Sequence, residues 1–463
     1  MKVFSSSFRR LALRPVLSVP SFCGPRVLLL PVLLLTALAS LPAHRVAAQT
    51  TAFPVLDRAA VQTRLRDPNW LVVDLRDPNS YNGWALAGEP RGGHLPGAIN
   101  VALAWIEKSQ PRTRKRLKEQ GVLGDRTLLL YGANAEQARR GADRLTRHYR
   151  VKRERIHLYE EGFSAWSADS SLPVHRLARW DRLAPAVWLA QEMRNRPELR
   201  VFDVSWGKGE RYARSHIPGA VHFDTDLFEE GPIWDLLTPA QLARNFASLG
   251  ITRTTPVVLY GEDPMPAARA AIVLLYAGVT DVRTLNGGLP AWVAAGYPVQ
   301  EGRVPPKPVP SFGGTIPAHP ELLTGIETAR RMLADPNQTL ADVRSWREFL
   351  GETPGYSDIT ARGRIAGAVW ARGGTDKGSM QDYRNPDNTV RGASEIAAFL
   401  AEAGITPQKP VGFYCGTGWR AAEALLAVWL MGWERATVYE GGWYEWSANP
   451  ANPFLRGDPR KKR

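Results

Sequence analysis

The sequence predicts an α/β protein of three tandem αβα modules, each with a central, mainly parallel sheet. Three observations carry this reading. One succession of motifs occurs three times along the chain, and a long internal period signals repeated structural units. Within each copy, short apolar runs bounded by Asp, Gly or Pro stand beside helix-like stretches, the pattern of buried parallel strands covered on both faces. Finally, 463 residues exceed one ordinary domain, leaving about three units once a leader is removed. Hydrophobic content of 44%, charged content of 22% and aromatic content of 9% describe globular cores and exclude a disordered, fibrous or membrane-bundle chain.

Residues 1–48 come first and read as a removable export signal. Residues 1–26 are basic and acid-free, Val27 to Ala39 is apolar but for Pro31 and Thr36, and Val46-Ala47-Ala48 offers small residues for cleavage. The apolar run is shorter than the ~20 residues a membrane span requires. The expectation is therefore a periplasmic protein with no stable membrane insertion. Of the formal charge of +14, the leader's Lys2, Arg9, Arg10, Arg14, Arg26 and Arg45 supply a large share.

The first module occupies residues 52–176. It runs from Trp70-Leu-Val-Val-Asp74-Leu-Arg76 through His94-Leu-Pro-Gly97-Ala98 and Leu128-Leu-Leu-Tyr131-Gly132 to Glu161-Gly162-Phe-Ser-Ala-Trp166. The second, residues 182–302, repeats it as Leu199-Arg-Val-Phe-Asp203, His216-Ile-Pro-Gly219-Ala220, Val257-Val-Leu-Tyr260-Gly261 and Gly287-Gly288-Leu-Pro-Ala-Trp292. Asp74 to Gly132 and Asp203 to Gly261 are equally far apart along the chain, a coincidence that chance does not supply together with the flanking motifs. A proline-rich stretch, residues 303–320, then reads as a stiff linker. The third module, residues 321–455, gives Leu340-Ala-Asp342-Val-Arg344, Arg364-Ile-Ala-Gly367-Ala368, Val411-Gly-Phe-Tyr414-Cys415 and Gly441-Gly442-Trp443-Tyr-Glu-Trp446. Helices are expected over Ala267 to Ala277 and Ala421 to Met431, closed by Gly278 and Gly432.

In open parallel sheets a ligand sits beyond the strand C-termini, so the loops after Tyr131, Tyr260 and Tyr414 are the places to look. Only the third holds a nucleophile: Cys415-Gly416-Thr417-Gly418-Trp419-Arg420 against Gly132-Ala133-Asn134 and Gly261-Glu262-Asp263. Glycines allow the loop's amides to turn inward around the sulfur. The helix that follows and the Arg420 guanidinium both favour its anionic form. Cys415 and Cys23 are the two cysteines of the chain, so the processed protein keeps one thiol, which cannot form an internal disulfide or a CxxC metal site. The glycines lack the Gly-Lys-Ser/Thr ending of a phosphate-binding P-loop.

Taken together, Asp342-Val-Arg344, the glycine element Arg364-Ile-Ala-Gly367-Ala368 and the Cys-Gly-Thr-Gly-Trp-Arg loop resemble the rhodanese sulfurtransferases. The resemblance spans nearly the whole chain after the leader and is greatest to the exported three-domain thiosulfate sulfurtransferases of bacteria. It implies that modules 1 and 2 are inactive rhodanese-like domains and that module 3 is the catalytic one. It also implies a ping-pong reaction in which Cys415 takes sulfur from a small anionic donor, holds it as a persulfide and passes it to cyanide, a thiol or a protein sulfur acceptor. No cofactor or metal is implied. Gly416, Thr417, Gly418, Trp419 and Arg420 would bind the substrate through the loop, and Arg344 would join Arg420 in holding the donor's sulfonate or carboxylate, since a guanidinium forks onto such groups. Tandem members of the family place the site between domains, which assigns the second module to the pocket wall.

Three other readings compete. 3-Mercaptopyruvate sulfurtransferases have a similar loop, and a non-catalytic sulfur-delivery or binding scaffold is a further class. The phosphatases of this fold carry arginine at the sixth position after cysteine, where Ala421 stands here. Arg112-Thr-Arg-Lys-Arg116 and the tail Arg460-Lys-Lys-Arg463 read as a solvated face and a frayed terminus, not as a nucleic-acid surface.

Overall fold

Each of the three sheets grows from the strand-end aspartate that the repeats share. The computed structural model describes residues 52–461 apart from 87 and 110, so the predicted leader lies outside the described residues. In module 3 the strand order is Leu323–Thr324, Ala436–Tyr439, Val411–Tyr414, Thr339–Asp342, Val369–Trp370, all parallel. Module 2 repeats the order with Leu183–Ala184, Val282–Leu285, Val257–Tyr260, Arg200–Ser205 and Val221–Asp224. Module 1 has Ile156–Tyr159, Thr127–Tyr131, Trp70–Asp74 and Ile99–Asn100, with a parallel bridge from Val55 to Leu158 in the fifth place. The predicted α/β class and triple repeat stand.

One polar device recurs at every sheet's C-terminal edge. The strand-end Tyr lies opposite the strand-end Asp in register: Tyr131 with Asp74, Tyr260 with Asp203, Tyr414 with Asp342. Each Tyr hydroxyl also accepts a backbone N–H from the residue after the His94, His216 or Arg364 position: Leu95 at 3.1 Å, Ile217 at 2.9 Å and Ile365 at 3.3 Å. Buried polar groups need such partners, so the repeated Asp and Tyr hold the strand ends in place.

Modules 2 and 3 share one apolar core. It includes Val257 and Leu259 of one sheet, Val411 and Phe413 of the other, and the helices Pro264–Ala277 and Trp419–Leu430 that pack between them. Both helices are buried on nearly every side, which explains why they are apolar all round. The first ends on Gly278 at φ +96°, a left-handed cap, as its glycine predicts. Module 1 has cores of its own and meets the others through hydrogen bonds and through the ring of Trp84 on Trp180 and Trp188. Trp84 donates to Leu183 O at 2.8 Å, Asn286 to Asn79 Oδ1 at 2.8 Å and Trp105 to Asp387 at 2.6 Å.

The proline-rich stretch is docked along its course: Phe312 is buried in the shared core and Val309 donates to Ala247 O at 2.9 Å. The basic run at Arg112 is a solvated face only at the exposed Arg114 and Lys115: Arg116 is buried against Glu395 at 2.5 Å, and Arg112 donates to Pro386 O and Asn388 at 3.3 Å. Charge density along the sequence did not show that these side chains face another module.

Candidate functional site

Cys415 ends the strand Val411–Tyr414, and the helix Trp419–Leu430 begins four residues later. The turn between them needs Gly418 at φ +89° as the residue before the helix, a conformation that a side chain strains. The Cys415 and Gly416 carbonyls are turned away from the loop's interior, accepting from Trp443 N at 2.7 Å and Tyr444 N at 3.0 Å. Gly442 makes this approach possible: it sits at φ +52°, and a Cβ there would lie 2.6 Å from Cys415 O. Among the described residues, the first amide after Cys415 to find a backbone acceptor is that of Ala422, on Gly418 O at 2.9 Å. The amides of Gly416 to Arg420 thus keep their donors unspent, and free N–H groups at a helix start favour an anion. Cys415 itself is fully buried.

The equivalent loops of modules 1 and 2 are filled by their own atoms, a side chain in the first and backbone carbonyls in the second. In module 1, Gln137 accepts from Ala133 N at 2.8 Å, and a Cβ at Gly132 would lie 2.6 Å from the Gln137 side chain. In module 2, Asp263 accepts from Met265 N at 2.8 Å, and a Cβ at Gly261 would lie 2.7 Å from Asp263 O. The Gly132 and Gly261 positions therefore lack both the thiol and the room for one. Module 3 alone presents the combination of thiol and unfilled donors among these three loops.

The two arginines nominated from sequence each pair with a carboxylate. Arg420 is fully buried and forks onto Glu348, with both N–H···O distances at 2.9 Å. Arg344 is also buried, bonded to Asp342 at 2.6 Å and to Gly363 O at 2.7 Å. Arg76 of module 1 makes the same contacts to Asp74 and Gly93 O, so Asp-x-Arg is a structural pair in a module without a thiol as well. Burial drew each guanidinium toward a carboxylate, while Arg344 Nη1 and Arg420 Nε are left without a hydrogen-bond partner. The loop amides remain as the anion's partners.

Sequence reading missed Glu348 and Tyr356. Glu348 lies in the capping box of the short helix Trp346–Leu350, where Ser345 and Glu348 satisfy each other's amides, a Ser-x-x-Glu signal readable in the sequence. Burial alone would raise this carboxyl, but Arg420 overrides it and holds Glu348 down at about 2. Tyr356 packs its ring against Gly416, where a Cβ would lie 2.1 Å from a ring carbon, and under the Arg420 guanidinium at 5.1 Å. Burial pushes its phenol up to about 12, and the nearby Cys415 charge adds to the push while Arg420 opposes it. The phenol is thus protonated at neutral pH. The cue for Tyr356 was the longer stretch between Asp342 and Gly367 than between Asp203 and Gly219.

A buried thiol at the start of a loop whose amides take no backbone acceptor suits nucleophilic chemistry in which charge resides on sulfur. Comparison with protein families matches the Rhodanese-like domain to residues 57–169, 186–295 and 326–449. The thiosulfate sulfurtransferase YnjE of Escherichia coli (strain K12) is 38% identical over 405 residues, covering 85% of this chain and 91% of that protein. The anaerobic ergothioneine biosynthesis enzyme of Chlorobium limicola, solved with its natural substrate trimethyl histidine, superimposes with a TM-score of 0.84 at 35% identity, over 88% of this chain and 100% of that chain. A structure of EanB with ergothioneine linked to a cysteine persulfide matches with a TM-score of 0.84 at 34% identity, over 88% and 100% of the two chains. EanB variants exist at a tyrosine and a threonine that stand from that cysteine at the separations of Tyr356 and Thr417 from Cys415. With three matched repeats and a relative similar over most of its length, the chain belongs to the rhodanese family, in its sulfurtransferase class.

Proposed function

We propose that the protein moves sulfane sulfur from thiosulfate to a thiophilic acceptor, cyanide or a thiol, through a persulfide on Cys415. The Cys415 thiolate attacks the outer sulfur of thiosulfate; a new S–S bond forms as the old one breaks, and sulfite leaves with its electron pair. The acceptor then attacks the outer persulfide sulfur and releases the Cys415 thiolate, so one difficult transfer becomes two easier ones. The amides of Gly416 to Arg420 stabilise thiolate, persulfide and departing anion in turn, while Arg420 and Glu348 hold the helix start in place. The observation that carries the reading is the contrast between the open donor set of module 3 and the filled loops of modules 1 and 2. The periplasm is the proposed compartment, on the strength of residues 1–48 alone.

Intact mass of thiosulfate-treated protein tests this. The expected result is a gain of one sulfur atom, located on Cys415, removed by cyanide and absent in Cys415→Ser. No gain would overturn the mechanism, and faster turnover with 3-mercaptopyruvate would overturn the donor. A second reading, a heteroaromatic acceptor such as trimethyl histidine, draws support from the placement of Tyr356 and Thr417; it requires a thione product from the persulfide-loaded protein.

A further inference from the structure

Module 2 has no thiol, yet it reaches the Cys415 loop through side chains that are themselves buried. Arg269, on the helix Pro264–Ala277, is fully buried and bridges two carboxylates from different modules. Its Nε donates to Glu229 of module 2 at 3.1 Å and its Nη1 to Glu440 of module 3 at 2.5 Å. The other oxygen of Glu229 accepts from the Trp419 indole N–H at 2.5 Å. Trp419 is the first residue of the helix whose start surrounds Cys415. At the same point, a Cβ on Gly418 would lie 3.3 Å from Glu440 O and 3.5 Å from Arg269 Nη1. The loop is thus held at Trp419 by Glu229, while the Arg269 guanidinium and the Glu440 carbonyl lie close to Gly418. The Cys415 and Gly416 carbonyls are fixed separately by Trp443 and Tyr444.

We propose that Glu229 and Arg269 are positioning residues for the Cys415 loop, supplied by module 2 and acting through Trp419 and Gly418. This rests on the reading of Cys415 as the sulfur carrier, and it assigns module 2 a specific task. A charge-assisted bond to a buried carboxylate is stronger than a neutral one, so the grip depends on Glu229 being ionised. The groups facing Glu229 are Arg269 and Trp419, with Glu440 behind Arg269 and Asp235 beyond it. Burial is the main cause that raises Glu229 to about 7, against the pull of Arg269 and Trp419. Protonation on acidification therefore removes one of its two acceptors and loosens Trp419.

The test compares wild type with Glu229→Gln, an isostere of the protonated carboxyl, and with Arg269→Lys, which keeps the charge and loses the fork. Two readouts are taken from about pH 5.5 to 8.5: the rate of Cys415 alkylation by iodoacetamide and the rate of sulfur uptake from thiosulfate. Wild type is expected to show an inflection near pH 7 in both. Glu229→Gln is expected to lose it, falling about tenfold below wild type at pH 8 and converging with it at pH 6, the scale on which a misplaced reacting group costs rate. Arg269→Lys should lie between. The proposal is overturned if Glu229→Gln keeps the wild-type inflection, or if its rates fall by one factor at every pH together with the melting temperature. Absence of sulfur uptake by wild type would instead defeat the donor reading, and the alkylation profile would still decide the role of Glu229.

Discussion

Glu348 carries more of the site's order than either arginine. Its carboxylate receives both arms of Arg420 and the amide and hydroxyl of Ser345, tying the start of one helix to the start of another. A carboxyl held at about 2 in place of 4.5 stabilises the fold above its unfolded value, by about 3 kcal/mol on the scale of 1.36 kcal/mol per unit. That contribution is lost as pH falls from about 4.5 through about 2. Glu348→Gln should cost about 3 kcal/mol at pH 7, since it leaves a buried guanidinium without its charge partner. The acid limb of the stability profile should flatten at the same time. Chemical denaturation at pH 7 and pH 3 checks both; an unchanged midpoint at pH 7 would show that Arg420 finds another partner. The sequence displayed Ser345-x-x-Glu348 as a capping signal, but not the capture of an arginine remote along the chain, because that pairing exists only once the two helix starts meet.

At the scale of elements, the recurring Gly-Gly before the last helix of modules 2 and 3, and Glu-Gly in module 1, has one physical cause. The second residue of each such helix donates its amide to the backbone carbonyl at the thiol position: Phe163 N to Gly132 O at 2.8 Å, Leu289 N to Gly261 O at 2.8 Å, Trp443 N to Cys415 O at 2.7 Å. At Gly162 and Gly442 alike, φ is positive and a Cβ would strike a loop carbonyl, at 2.4 and 2.6 Å respectively. Gly162→Ala and Gly442→Ala should therefore each lower stability by about 1–3 kcal/mol. Gly442→Ala alone should depress sulfur transfer, because the carbonyl it displaces is that of Cys415. Thermal melts paired with turnover separate the two effects, and equal loss of activity in both variants would refute the assignment. These elements were legible in the sequence as repeats with glycines at fixed places. What filled the loops of modules 1 and 2 was not legible, since Gln137 and Asp263 look like ordinary helix-start residues.

At the scale of the whole molecule, the three repeats are not equally independent. The helices Pro264–Ala277 and Trp419–Leu430 have no polar face to offer water, and at ~25 cal/mol per Å² of apolar area their separation costs several kcal/mol. A chain of residues 177–461 is therefore expected to stay soluble and unfold in one transition. Residues 321–461 alone should aggregate, and a soluble, cooperatively melting fragment of that length would contradict the shared core. The sequence by itself determined the α/β class, the three repeats and the one loop with a thiol, because these are set by local apolar runs, glycines and residue type. Only the tertiary structure decided where the charges went: Arg344 and Arg420 to buried carboxylates, Arg116 to a neighbouring module, Arg269 and Glu229 to the Cys415 loop. A buried charge takes whichever counter-charge folding brings beside it, and that neighbour is written in no local stretch of the chain.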